Sequence, residues 1–409
     1  MGRRSHNRWA RRARAWIAQA LFALLPFVGC GPSAPAEPPG AWWAGRASVV
    51  RGVLAQIEEL DGTPLARRAR ELAAALPECE SIGVHAPDGD VAKLAEGARC
   101  LDEGDPLERI RRASGSDLVF ALPPASFAQR AEGERRPSGG GALRGALRLE
   151  NGALALDLRW PDPPAEGALR LLVPGDAPAG PDRLASTGRL VSLRVRPRAG
   201  LDLAALVPED SQADRLFRLG SGILAGAVLD GTWEGAVYLP ERTGGMPGIA
   251  LALGFSVRSA AVAAIEHLIA DLQQTWPVHR SELRGPAGDG ACLPDLNVLP
   301  ELAPCYVATA DSLVVGWNAT SLQRALAGAH ASRREPQASE DHQAGGGPDA
   351  PARLDLDLAL IQRADDLLAR ALPGSQPPLP WPWSRVLASG GDEDGTLVLR
   401  VTLLARSAS

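Results

Sequence analysis

Leu143-Arg144-Gly145-Ala146-Leu147-Arg148-Leu149-Glu150-Asn151-Gly152-Ala153-Leu154-Ala155-Leu156-Asp157-Leu158-Arg159-Trp160 reads as two strands and the turn between them. Asn-Gly accepts the positive φ angles of a type I′ turn, whose twist matches that of the strands it joins. The segment therefore predicts an antiparallel hairpin, and the surrounding chain repeats the theme. Strand pattern recurs at Leu118–Leu122, Leu190–Val195, Trp233–Leu239, Ile249–Phe255, Tyr306–Ala308 and Leu313–Trp317. It closes the chain with alternating Leu354, Leu356 and Leu358, and then Leu397, Leu399, Val401 and Leu403.

Helical spacing is confined to a few places. Val50, Val53, Leu54 and Ile57 share one face of a first helix, and Thr63-Pro64 gives a cap and first-turn proline for a second. Val262, Ile265, Leu268, Ile269 and Leu272 form the stripe of a third, and Asn318 starts a fourth that stops at Gly328. Strands and helices that do not alternate steadily predict an α+β protein of mainly antiparallel sheet packed with helices.

Internal similarity suggests how these elements are grouped. Leu118-Val119-Phe120 followed by Ser126-Phe127-Ala128-Gln129-Arg130-Ala131 parallels Leu313-Val314-Val315 followed by Ser321-Leu322-Gln323-Arg324-Ala325. Each copy then passes a polar, glycine-rich loop and ends on a turn and strand, at Asn151-Gly152 and at Asp394-Gly395. The second copy inserts a helical stretch from Leu360 to Leu372. The expectation is two related lobes, 42–197 and 198–409, with a disordered loop at 329–351 that holds almost nothing apolar.

The N-terminus carries an address. Arg3, Arg4, Arg8, Arg11, Arg12 and Arg14 precede an apolar run from Ala15 to Val28, and no acidic residue comes before Cys30. This is the layout of a signal peptide, here residues 1–29, and the run is short for a span of roughly 20 residues. Phe27-Val28-Gly29-Cys30, with Phe27 where Leu is usual, resembles the lipobox of bacterial lipoproteins. The resemblance implies diacylation of Cys30 as the new N-terminus. The proline-rich segment after Cys30, through residue 41, is similar to the tether of such proteins, since proline-rich chain stays extended. The body resembles uncharacterised families of two-lobed exported α+β proteins without a catalytic motif.

With Cys30 lipidated, Cys79, Cys100, Cys292 and Cys305 remain, an even number in an exported chain. Three connectivities are open, and the sequence-local pairs Cys79–Cys100 and Cys292–Cys305 are expected. No Cys-x-x-Cys spacing and no histidine near either pair argues for zinc. The net charge of −5 becomes −11 without the six signal arginines. An acidic chain with no basic cluster is a poor nucleic-acid binder.

The remaining motifs have plain explanations. Gly220-Ser221-Gly222 follows a helical rather than a strand pattern, so close packing explains it better than a dinucleotide loop. Gly390-Gly391-Asp392-Glu393-Asp394-Gly395 resembles the turn signature of diguanylate cyclases with Phe replaced by Asp394, and reads as a solvated hairpin turn. Asp355 and Asp357 alternate with leucines; two carboxylates on one strand face can serve acid–base chemistry, but an outward polar face is commoner. His85, His267 and His279 are isolated, His267 being expected half-buried, and no nucleophile elbow or zincin motif occurs. Trp42-Trp43 and Trp381-Pro382-Trp383 offer either a ligand platform for glycan or peptide, or buried anchors.

Together these features predict a non-catalytic lipoprotein of the cell envelope, held to the outer membrane by its lipid and facing the periplasm. It is expected to bind a partner protein, peptide or glycan, with no metal and no cofactor. Carriage of an apolar ligand, or hydrolysis by an unfamiliar site, are the alternatives.

Overall fold

The computed structural model describes residues 37–58, 64–88, 97–123, 141–150, 153–162, 182–196, 229–240, 247–275, 277–295, 303–327, 351–371 and 383–405. The signal peptide, Cys30, the first part of the tether, Trp381, the Gly220-Ser221-Gly222 segment and the 329–350 part of the expected loop lie outside these residues. Within them the protein is mixed helix and antiparallel sheet, as the hairpin stretch predicts. No described helix is long and apolar enough to cross a membrane.

The chain divides into two compact units, and the boundary differs from 197/198. The first holds residues 1–164, 379–382 and 393–409; the second holds 165–378 and 383–392. The strand at 189–195 thus belongs to the second unit, and the C-terminal strand returns to the first.

In the first unit the strands are β1 (Ala41–Arg46), β2 (Ser81–Ala86), β3 (Arg99–Cys100), β4 (Leu118–Leu122), β5 (Leu143–Glu150), β6 (Ala153–Pro161) and β16 (Thr396–Ala405). They lie in the order β16-β6-β5-β4-β1-β2-β3. The expected hairpin is β5–β6, in register from Arg144↔Arg159 to Glu150↔Ala153. Along β6, Leu154, Leu156, Leu158 and Trp160 are buried while Asp157 and Arg159 point away. Helices α1 (Ala47–Glu58) and α2 (Pro64–Ala75) pack on each other, and α1 buries Val53, Leu54 and Ile57 of the predicted stripe.

Helix α3 (Pro106–Ser114) has local signals at both ends. Asp105 accepts a hydrogen bond from the Leu107 amide at 2.9 Å, Pro106 fills the first turn, and Gly115 closes the helix in the left-handed region at φ 64. Its buried Glu108 accepts from Arg111 at 2.6 and 2.8 Å and from Arg112 at 2.8 Å. Burial pushes the Glu108 carboxyl up, but these guanidinium hydrogen bonds outweigh it and hold the group below its usual value.

The second unit contains β7 (Arg189–Val195), β8 (Leu229–Tyr238), β9 (Gly248–Phe255), β10 (Ser281–Gly285), β11 (Gly288–Cys292), β12 (Cys305–Ala308), β13 (Ser312–Gly316), β14 (Ala352–Asp357) and β15 (Trp383–Glu393, of which residues to 392 fall here). Their order is β10-β11-β12-β13-β9-β8-β7-β14-β15, with α4 (Arg258–Thr275), α5 (Ala319–Ala327) and α6 (Leu358–Ala371). This order does not support the duplication as aligned. β4 pairs directly with β5, whereas β13 lies between β12 and β9 and its expected follower β14 lies between β7 and β15. The similar stretches share local pattern but occupy different places in their sheets.

Candidate functional site

The second unit's sheet has two faces of unlike chemistry, and the register assigns each side chain to one of them. Because successive residues of a strand point to opposite faces, pairing across β8 sorts Glu234, Ala236 and Tyr238 to one side and Trp233, Gly235 and Val237 to the other.

The Glu234 side is covered. Ala236, Tyr238, Ala250, Ala252, Val307 and Val314 form a core with Leu322 and Ala325 of α5 and with Leu184. Small residues let the helix sit close. A Cβ on Gly316 would fall 2.6 Å from the Leu322 amide nitrogen, so only glycine fits there. Asn318 caps α5 by accepting from the Ser321 amide at 2.8 Å, as its sequence position predicts.

This covered side also takes in charge. Glu234, 1 % exposed, accepts from the Arg183 amide at 2.6 Å and from the Arg189 guanidinium at 3.0 Å. Arg194, also buried, pairs with Asp182. Burial is the largest influence on both, pushing the Glu234 carboxyl up and the Arg194 guanidinium down. The network ties β7 to β8, although the buried Nε of Arg194 has no hydrogen-bond partner. Asp355 and Asp357 belong to the same side. Asp355 takes a two-point hydrogen bond from Arg385, at 2.8 and 2.5 Å, and Asp357 caps α6 by accepting from the Leu360 amide at 2.8 Å. Both are half-buried and engaged as hydrogen-bond acceptors.

The opposite face is apolar across six neighbouring strands. One row runs Ala388, Leu354, Leu193, Gly235, Leu251 and Val315 from β15 to β13. The row below it is Val386, Leu356, Val191, Val237 and Ile249, with Trp317 donating its amide to the Ile249 carbonyl at 3.1 Å. The row above is Gly390, Ala352, Val195, Trp233, Leu253 and Leu313. Among the described residues, helix α4 covers the Leu253–Leu313 corner, through Ile265 and Ile269. At its centre Leu193 is 43 % exposed, Leu251 39 % and Ile249 37 %, while towards β15 Val195 and Val386 are buried.

Half-covered antiparallel sheets normally turn apolar residues inward and polar residues outward. Here the covered side is apolar as usual but also takes in Glu234 and Arg194, while the other side leaves Leu193, Ile249 and Leu251 exposed.

Beyond α4 the same face turns polar. Arg258, Glu266, Arg280, Arg284, Asp289 and Tyr306 line a cleft of about 470 Å³ between α4 and β10–β12. Arg280 pairs with Glu266 at 2.5 Å, and the Tyr306 hydroxyl donates to the same carboxylate at 3.3 Å. Burial, aided by Glu266, pushes Tyr306 up to about 12. The phenol is therefore a fixed donor at physiological pH, and the charges of this part of the cleft answer one another.

The sequence-derived candidates are scattered. Cys79 and Cys100 lie at disulfide distance, Cα atoms 5.9 Å apart, as do Cys292 and Cys305 at 4.0 Å. Trp42, Trp43 and Trp383 are 1 %, 9 % and 4 % exposed. A platform needs an open ring face, and these three rings have none, Trp42 and Trp43 being part of β1. His267 is exposed rather than half-buried. His279, also exposed, contacts Asp295 at 2.7 Å, and His85 contacts the Pro39 carbonyl at 2.7 Å. The Asp394-Gly395 turn takes φ values of 51 and 80, as a tight hairpin turn requires. Among the described residues no three His, Cys, Asp or Glu side chains converge as metal ligands.

The apolar face went unread in the sequence because apolar alternation was equated with inward facing. The charges at Arg194, Glu234, Asp355 and Asp357, all on the opposite parity of adjacent strands, were the available signal.

No protein-family model matches this chain, and neither a curated protein nor a solved structure matches it significantly.

Proposed function

We propose that this chain is an exported, lipid-anchored, non-catalytic protein of the cell envelope that works by docking a partner protein on the open apolar face of its second unit. The observation that carries the reading is the apolar patch on β7 and β9: Leu193, Ile249 and Leu251 are exposed while Arg194 of β7 and Glu234 of β8 are buried on the other side of the sheet. Keeping such a surface in water is unfavourable by about 25 cal/mol per Å² of apolar area, which a partner would recover. The two local cysteine pairs are in keeping with an oxidising compartment. The carboxylates best placed for catalysis, Asp355 and Asp357, are occupied in holding β15 and α6.

Photo-crosslinking in the producing cell tests this reading. A photoreactive residue at position 193 or 251 should give a protein adduct, whereas one at position 284 on exposed β10 should not. Absence of any adduct from both face positions would remove the basis for the proposal.

A further inference from the structure

The segment that leads to Cys30 leaves the body from one identifiable place on the first unit. Glu37, where the described residues begin, pairs with Arg144 of β5 at 3.2 Å. Seven residue steps separate Cys30 from Glu37, and fully extended chain of that length spans at most about 25 Å. A lipid on Cys30 therefore keeps the membrane surface within about 25 Å of Glu37 and the strand it touches.

The register shows what surrounds Arg144. On β6 the odd-numbered residues face away from buried Leu154, Leu156 and Leu158. Asp157 and Arg159 thus share a side with Arg144 and Arg148 of β5 and with Val398 and Arg400 of β16. Four arginines, from positions 144, 148, 159 and 400, meet there on three neighbouring strands, although the sequence holds no basic run at any of these positions. Arg144 and Arg159 are direct cross-strand partners, an arrangement that like charges disfavour.

The carboxylates that answer these arginines are Glu37, Asp157 and Glu393. Asp157 lies 3.5 Å from Arg400, and Glu393 lies 3.7 Å from both Arg159 and Arg400. Both partners in each of these pairs are about half exposed, so the pairs contribute little and yield to a stronger anion. Arg148 is exposed, and among the described residues no ion pair engages it. Guanidinium groups present flat, forked donors that match phosphate oxygens. An acidic protein offers carboxylates to the same groups, but the short tether selects the membrane, whose phosphate headgroups it holds beside this face at high effective concentration.

We infer that the face carrying Arg144, Arg148, Arg159 and Arg400 docks on the anionic phospholipid headgroups of the membrane that holds the anchor. The inference rests on the lipid anchor proposed above and is independent of the apolar patch on the second unit.

The test uses the protein purified from the producing cell and reconstituted on vesicles of phosphatidylcholine, alone or mixed with phosphatidylglycerol. Modification of arginines by phenylglyoxal is then mapped by mass spectrometry, with Arg284, 82 % exposed on the second unit, as reference. On the anionic vesicles Arg148, Arg159 and Arg400 should react about fivefold more slowly than on the neutral ones, the ratio that an anionic surface gives per arginine. Raised salt should abolish the difference. Arg148→Glu combined with Arg400→Glu should remove the protection of Arg159, with circular dichroism showing that the variant is folded. The same pair changed to Gln serves if the charge reversal misfolds. Equal reaction on the two kinds of vesicle, or protection that persists in the folded variant, overturns the inference. Protection that appears only when cell extract is added assigns the face to an acidic protein and also overturns it. Flotation separates the two levels. A chain that does not float with neutral vesicles lacks the anchor, and both readings fall. A chain that floats yet reacts alike on both keeps the anchor and loses the docking face.

Discussion

Glu234 and Gly235 are adjacent in the chain and face opposite ways from one strand, and the second unit is organised around that contrast. Glu234 is buried among arginines and backbone amides, while Gly235 lies bare between two exposed leucines. A comparable buried charge in the first unit, Glu108, offers a stability test. Its carboxyl is held below the ordinary range, so its contribution is fully present above the unfolded value of about 4.3 and is lost as pH falls through the lower folded value. Glu108→Gln leaves the buried Arg111 without its carboxylate and should cost about 3 kcal/mol at pH 7. Urea unfolding at pH 7 and pH 3 checks both halves: the variant should be much weaker than the parent at pH 7, and the gap should narrow in acid. An unchanged midpoint at pH 7 would show that the pair is not part of the fold's stability.

At the scale of elements, the sequence was informative wherever a local rule acts alone. The β5–β6 hairpin follows from Asn151-Gly152, α1 from the spacing of Val53, Leu54 and Ile57, and the start of α5 from Asn318. Strands β1 and β2 were missed. Trp42-Trp43 and Ile82-Gly83-Val84 are buried on successive positions, and such runs carry no period that separates strand from helix. The start of α3 was legible in Asp105-Pro106 and its end in Gly115, yet its only buried apolar side chains are Leu107 and Ile110, too few to make a stripe. The order of strands could not be read at all, because pairing partners distant in sequence are chosen by packing. The cysteines are the exception, since Cys292 and Cys305 are register partners on adjacent strands β11 and β12. Replacing both with alanine should lower stability by about 3 kcal/mol, as expected for opening a short loop. Peptide mapping without reductant should return Cys79–Cys100 and Cys292–Cys305 only. A Cys79–Cys292 peptide would contradict the pairing.

At the scale of the whole molecule, a lipid on Cys30 is proposed to tether a body whose second unit leaves Leu193, Ile249 and Leu251 exposed. The anchor is tested by Cys30→Ala, which should move the protein from the membrane fraction to the soluble fraction of the envelope; a variant that stays with the membrane would exclude the lipid. The face is the central claim, and hydroxyl-radical footprinting of the Cys30→Ala chain examines it directly. In dilute protein, Leu193, Ile249 and Leu251 should oxidise readily while Leu253 and Leu313, under α4, stay protected. Protection of all five leucine and isoleucine side chains at the lowest concentration would mean that the face is an ordinary core, and would contradict the account.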